Sequence, residues 1–132
     1  MPNIPIFMTF GNNDCHYHDS APPTDEKADF YSFIWNLWFV NHPANLPFAT
    51  ESAQQTFMDG GYFRADVSNG VAVLSVNTLE YNLGQNSVWI GPEAENQFQW
   101  LESNLNNTED ATKFLIITHI YAGGRISHNT KN

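Results

Sequence analysis

The chain holds a single cysteine, Cys15, in 132 residues. No intrachain disulfide can form, which excludes a small scaffold stapled by disulfides. It is also poor in positive charge, with 5 Lys and Arg against 14 Asp and Glu and a formal net charge of −9. A nucleic-acid surface needs clustered Lys and Arg, so the charge argues against one and no nucleic-acid partner is expected. The acidic balance suits solubility or cation binding and does not choose between them. Long apolar runs are missing too. The most apolar stretch, FYSFIWNLWFV at 30–40, is too short to span a bilayer, so no transmembrane segment is expected and the stretch reads as a buried helix. Residues 1–10 lack a positively charged start and carry two prolines, so no secretory leader is expected there. There is no internal repeat and no low-complexity tract.

What is present is enough to bury a core. Hydrophobic residues make up 42% and aromatics 14%, which places the chain with globular single domains rather than disordered ones. Ile4–Phe10 is apolar, short and closed by Gly11, and reads as a buried strand. A polar loop follows, closed by Pro22 and Pro23. Thr24 then serves as the expected N-cap of a helix with acids in its first turn, ended by His42 and Pro43. A second helix is expected from Thr50 to Met58, stopped at Asp59, Gly60 and Gly61. YFRADV and VAVLSVN form a hairpin over 62–77, turning at Ser68, Asn69 and Gly70. Residues 78–91 are a polar loop. Pro92 opens a helix whose Phe98, Leu101 and Leu105 share a face. KFLIITH, 113–119, is expected as a buried strand, with a final loop after it. Asn106, Asn107 and Thr108 make a glycosylation triplet, a pattern that arises readily in an Asn-rich chain.

Strand, loop, helices, hairpin, helix, strand, loop is a mixed α/β arrangement. Polar residues gather just past the C-terminal ends of apolar strands, at Gly11–His18, Asn77–Tyr81 and His119. That edge of an α/β sheet is where sites are built. Asn12, Asn13, Asp14, His16, His18 and His119 are the candidates for chemistry. A carboxylate, amide oxygens and imidazoles together suit a divalent metal of the zinc or manganese type. Spacing alone leaves two readings open. Histidines at i, i+2 on a loop can be ligands or solvated side chains, and His119 can be a ligand or a strand-end residue satisfied by backbone. Cys15 reads as a half-buried loop residue.

Three motifs carry a family resemblance. FGNND at 10–14 resembles the Gly-Asn-His-Asp/Glu motif of calcineurin-like metallophosphoesterases. GGYFRADVSNGVAVLSVNTLEYN resembles the family's hairpin, whose second strand ends in Leu-Asn-Thr. NQFQWLESNLNN followed by KFLIITHIYAGG resembles its Gln-x-x-Trp-Leu helix and the strand ending in Gly-His-x-Pro-Pro-Gly. Order and distances are most similar to the acid-sphingomyelinase-like branch, which includes endopolyphosphatase-like members.

The resemblance implies an α/β fold, a fragment of the metallophosphoesterase sandwich with a mixed sheet and flanking helices, over 1–132. It implies two divalent metal ions, commonly zinc, with Asn12 binding one through its amide oxygen and His119 binding the same ion. Asn77 and Thr78, at the Leu-Asn-Thr position, are assigned to substrate binding. Asn13 stands where the family has the histidine that contacts the phosphate. An amide donates a hydrogen bond but cannot act as an acid near neutral pH. Asp14, His16 or His18 substitutes, or the leaving group is already a good one, as in a phosphoanhydride. Asn13, Asp14 and His16 are therefore the expected catalytic group.

The family's Asp-x-His and Gly-Asp motifs belong before residue 1 and its Gly-His-x-His after residue 132. The metal site is thus expected to be incomplete here, and the isolated chain inactive. Expected partners are a phosphoester small molecule, a lipid headgroup or polyphosphate, and self-association through exposed sheet edges. By resemblance the location is secreted or lysosomal/vacuolar. Three readings stay open: part of a phosphoesterase, a non-catalytic remnant acting as a binding module, and an unrelated α/β domain. The last requires Asn12 and His119 to lie far apart.

Overall fold

The computed structural model describes residues 3–67, 70–81, 92–107, 109, 111 and 113–121. Its centre is a three-stranded sheet in the order β1 (Phe63–Val67), β2 (Val71–Ser75), β3 (Lys113–Ile117). β1 and β2 form the expected antiparallel hairpin, with Ala65 opposite Val73, and Gly70 supplies a φ of 69° at the turn. β3 lies parallel to β2, with Val73 opposite Leu115. A parallel neighbour requires a crossover, and α3 (Pro92–Asn106) lies within it. Helices flank the sheet: α1 (Lys27–Trp35), α2 (Glu51–Gly60) and α3. The chain is mixed α/β with a mixed sheet, compatible with part of an α/β phosphoesterase fold.

α2 follows the expected chemistry. Thr50 Oγ1 accepts the N–H of Ala53 at 3.2 Å, and the Gly61 N–H closes the far end on Phe57 O at 2.8 Å with φ of 72°. A methyl at Gly61 would sit 2.6 Å from Phe10 Cε2 and 2.8 Å from Tyr31 Cε1, so the position requires glycine on two counts. α1 starts later than expected: Glu26 is its N-cap, without a side-chain cap bond, and Thr24 belongs to the preceding turn. Beyond Trp35 the helix widens into a π turn, Asn36–Val40, closed by Asn41 N on Asn36 O at 2.8 Å. Continuing that pattern would require an N–H at Pro43, which has none. Asn45 Nδ2 donates to the Trp38 carbonyl instead, at 2.7 Å.

The core is aromatic. Phe57 of α2 is its hub, with ring centroids 5.3–6.1 Å from those of Trp35, Trp38, Phe10, Tyr31, Phe39 and Phe63. Stretch 30–40 thus buries Tyr31, Trp35, Trp38 and Phe39, while Phe33, Leu37 and Val40 stay exposed.

Three expectations need correction. Residues 4–10 belong to no strand; only Phe10 is buried, and Ile4 and Ile6 are more than half exposed. Both edges of β2 are taken by β1 and β3, and the segment is clipped on by side chains. Asn45 accepts from Ile6 N at 2.9 Å and donates to Ile6 O at 2.8 Å, Ser75 Oγ donates to Met8 O, and Thr9 Oγ1 donates to Val76 O. Second, α3 buries Ala94 and Gln97 rather than the Phe98–Leu105 face. Phe98 instead stacks outside on Tyr81, centroids 4.4 Å apart. Third, β3 is not buried among the described residues, and Leu115 and Ile116 are exposed.

Candidate metal centre

Phe10 is plugged into the core, so the loop after it starts from a fixed point. Gly11 and Asp14 close the first turn: Asp14 N donates to Gly11 O at 3.0 Å, and Gly11 N to Asp14 Oδ2 at 2.7 Å. Buried Cys15 anchors the middle of the loop. The loop then returns on itself, with Asp19 N donating to Asn12 O at 2.9 Å and Asp19 at a φ of 62°. Among the described residues no other non-glycine has positive φ.

His119 arrives from the other side. β3 holds it in line with β2 through Val76 N on Ile117 O at 3.0 Å, and Thr78 Oγ1 accepts the Ile120 N–H at 3.0 Å. Asn12 Oδ1 and His119 Nε2 meet 2.9 Å apart, across 107 positions of sequence. Gly11 lies under the imidazole; a methyl there would be 3.4 Å from the ring.

Donors bound to one zinc-type ion at about 2.1 Å stand about 3.0–3.4 Å from each other. The Asn12 oxygen and the His119 nitrogen stand a little closer than that, at hydrogen-bond distance, and since an amide oxygen only accepts, His119 Nε2 donates to it. Among the described residues no group of three or more His, Cys, Asp or Glu is placed to hold a metal ion. The short distance also argues strongly against the reading of an unrelated domain, which predicts the two residues far apart.

The other candidates separate. Asn13 is exposed, with its amide 3.4 Å from Asn12 Oδ1. Asp14 is exposed and spends one oxygen on the Gly11 N–H. His16 stands edge-on to Tyr17, centroids 4.9 Å apart. His18, not His16, is the imidazole against Asn12: its Nε2 is 3.3 Å from Asn12 Nδ2 and its Nδ1 is 2.9 Å from Asp19 Oδ2. Asp19 itself went unread in the sequence, although an acid directly after a candidate histidine was the available signal. Asn77 and Thr78 lie inside. Asn77 is 1% exposed, with Nδ2 donating to Gly60 O at 3.0 Å and Oδ1 accepting from Leu79 N at 3.2 Å. Gln97 grips its backbone, accepting from Asn77 N at 2.7 Å and donating to Asn77 O at 3.2 Å. Both are therefore turned inward: Asn77 braces the end of β2 against Gly60, Leu79 and Gln97, and Thr78 holds the segment after β3 through Ile120 N.

Beneath this end lies Glu80, which accepts from Tyr31 Oη at 3.3 Å. Burial foremost, with Glu93 adding repulsion, pushes its carboxyl up to about 7, while Lys27 and the Tyr31 hydroxyl pull it down. Lys27 is itself paired with Glu93 at 3.2 Å, tying α1 to α3. A cleft of about 640 Å³ between α2, β1 and α3 is lined by Arg64, Trp100 and Asn104 and contains none of the candidate residues.

No protein-family model matches the chain. Curated proteins do. It is 35% identical over 126 residues to the cyclic GMP-AMP phosphodiesterase SMPDL3A of Bos taurus, covering 92% of this chain and 26% of that protein. The Homo sapiens protein of the same name is 32% identical over the same shares. Sphingomyelinase phosphodiesterase C of Dictyostelium discoideum is 30% identical over 125 residues, again 92% of this chain and 26% of that one. The chain therefore spans about a quarter of the length of these relatives. No helix among the described residues is long and apolar enough to cross a membrane.

Proposed function

From a chain that is a relative of acid-sphingomyelinase-like phosphodiesterases over nearly its whole length, we propose that it carries part of the metal site of a phosphodiester or phosphoanhydride hydrolase. The observation that supports this best is the meeting of Asn12 Oδ1 and His119 Nε2 at 2.9 Å. On this reading residues 1–132 are a partial calcineurin-like phosphoesterase domain. Asn12 and His119 hold one of two divalent ions, zinc by preference, and further ligands come from the family's other motifs. When bound, such ions activate a water and steady the charge that develops on the phosphoryl oxygens.

The chain's own residues have the remaining tasks. Asn13 donates hydrogen bonds to the phosphoryl group. It cannot protonate a leaving group, so that task falls to Asp14, His16 or His18, or the substrate needs no acid. A phosphoanhydride, with its good leaving group, suits the second case. Asn77 and Thr78 serve the substrate side by holding the strand end in place. The substrate is a phosphoester small molecule, a lipid headgroup, a nucleotide or polyphosphate, and the location is secreted or lysosomal/vacuolar. Self-association runs through exposed sheet edges, with Leu115 and Ile116 of β3 adding exposed apolar side chains beside the outer one.

Asn13 also favours the alternative, a non-catalytic module of the same fold, because it replaces an acid with an amide. The test is phosphodiester hydrolysis by the native protein, with and without chelator. Chelator-sensitive turnover lost at least 100-fold in Asn12→Ala and in His119→Ala is expected, a magnitude in line with losing a transition-state contact. Turnover indifferent to both changes would refute the site, and no turnover at all would give the alternative its place.

A further inference from the structure

The two ends of the Asn12 carboxamide are not equivalent to a cation. Oδ1 has lone pairs to give, while Nδ2 carries two hydrogens and has none. A half-turn of the side chain would exchange them, so whatever fixes the rotation decides whether Asn12 can be a ligand. Asn12 Nδ2 donates to Asp19 Oδ1 at 3.0 Å and lies 3.3 Å from His18 Nε2, while Oδ1 faces His119 Nε2 at 2.9 Å. A carboxylate only accepts. Reversing the amide would set its oxygen against the Asp19 oxygen at hydrogen-bond distance and leave a charge-assisted bond unmade. His18 follows from the same constraint. Its Nδ1 donates to Asp19 Oδ2 at 2.9 Å, which leaves Nε2 as an acceptor for the second Asn12 hydrogen.

The backbone supports the arrangement. Asp19 N bonds Asn12 O, and Asp19 takes the left-handed conformation that lets the loop come back to Asn12. We infer that Asp19, seconded by His18, is a positioning residue that locks the Asn12 carboxamide so that Oδ1 is presented to a cation shared with His119. The inference rests on the metal reading above.

The positive φ supplies clean variants. Asp19→Gly removes the carboxylate and is at ease in that conformation, while Asp19→Asn keeps an oxygen acceptor and is also tolerated there. Without metal, proton–nitrogen NMR of the chain follows the Asn12 side-chain NH2. Two well-separated, slowly exchanging signals are expected in the unaltered chain. They should move to free-amide positions in Asp19→Gly and stay near their original positions in Asp19→Asn. With Zn²⁺ titrated, the apparent affinity read at the His119 ring should fall about 10-fold or more in Asp19→Gly and recover in part in Asp19→Asn, the usual size of a lost supporting contact. Unchanged Asn12 amide signals in Asp19→Gly overturn the inference whatever the metal does. Signals that move as expected, with no Zn²⁺ effect at His119 in the unaltered chain, support the amide lock and refute the metal reading. If Asp19→Gly unfolds, Asp19→Asn decides: free-amide signals there overturn the inference.

Discussion

Glu80 should make this fold more stable in acid than at neutral pH. Its carboxyl holds a proton up to about 7 in the folded chain, against an ordinary value of 4.5, because burial disfavours the anion and Glu93 adds to the repulsion. The folded state thus prefers the protonated form. Glu80's contribution is complete below about pH 4.5 and is lost as pH rises through about 7. A gap of about 2.5 at about 1.4 kcal/mol per pH unit sets a ceiling of roughly 3 kcal/mol. Between pH 5.0 and 7.5 the difference works out at about 2 kcal/mol. The groups facing Glu80 are Tyr31 and Lys27 of α1, Asp59 of α2 and Glu93 of α3, and Tyr62 and Tyr81 join it. Glu80→Gln keeps the size and the acceptor for Tyr31 but cannot titrate. Urea unfolding followed by tryptophan fluorescence at both pH values checks this. The unaltered chain should gain about 2 kcal/mol more than Glu80→Gln on moving from pH 7.5 to 5.0. Other titrating groups cancel in that comparison. An identical gain in both proteins would refute the reasoning.

Gly61→Ala combines left-handed strain with a methyl 2.6 Å from a buried Phe10 ring, so a loss of about 2–4 kcal/mol is expected in the same unfolding assay. A loss under about 0.5 kcal/mol would show that the ring cluster yields easily. Association through β3 predicts oligomers that grow with concentration in sedimentation velocity and disperse in Ile116→Lys, since charge blunts a strand edge. A monomer throughout would exclude that edge as an interface.

The elements that were legible carried their own chemistry. α2 is readable because Thr50 caps it and Gly61 stops it, and the hairpin because an alternating run, YFRADV, and an apolar run, VAVLS, flank a turn with glycine at position 70. Residues 4–10 misled because the segment is held by side chains instead of a ladder, and no local pattern shows that Asn45 would take both the N–H and the carbonyl of Ile6. α3 misled for a similar reason. Gln97 looks like a surface residue, yet its amide is what the strand end at Asn77 requires, and its burial turns Phe98 outward. An apolar run such as 113–117 shows that something should cover it, not that the cover lies among the described residues. At the site, Asn12 and His119 are legible as polar residues past apolar runs, and the motif resemblance adds their pairing. Asp19 is not, because its role depends on a backbone reversal with no sequence mark beyond the residue's own tolerance for positive φ.

The 107-residue span between Asn12 and His119 has a kinetic meaning. Closing a loop of that length costs about 4 kcal/mol in chain entropy before any contact rewards it. β3 must first find β2, across a parallel crossover, before His119 is delivered. The pair should therefore form after the hairpin and the aromatic hub, on the native side of the folding barrier. Substitutions at Asn12, Asp19 or His119 should then quicken unfolding and leave the folding rate nearly untouched. Residues placed this late in the folding order are free to vary for chemistry without hindering the chain's route to its fold.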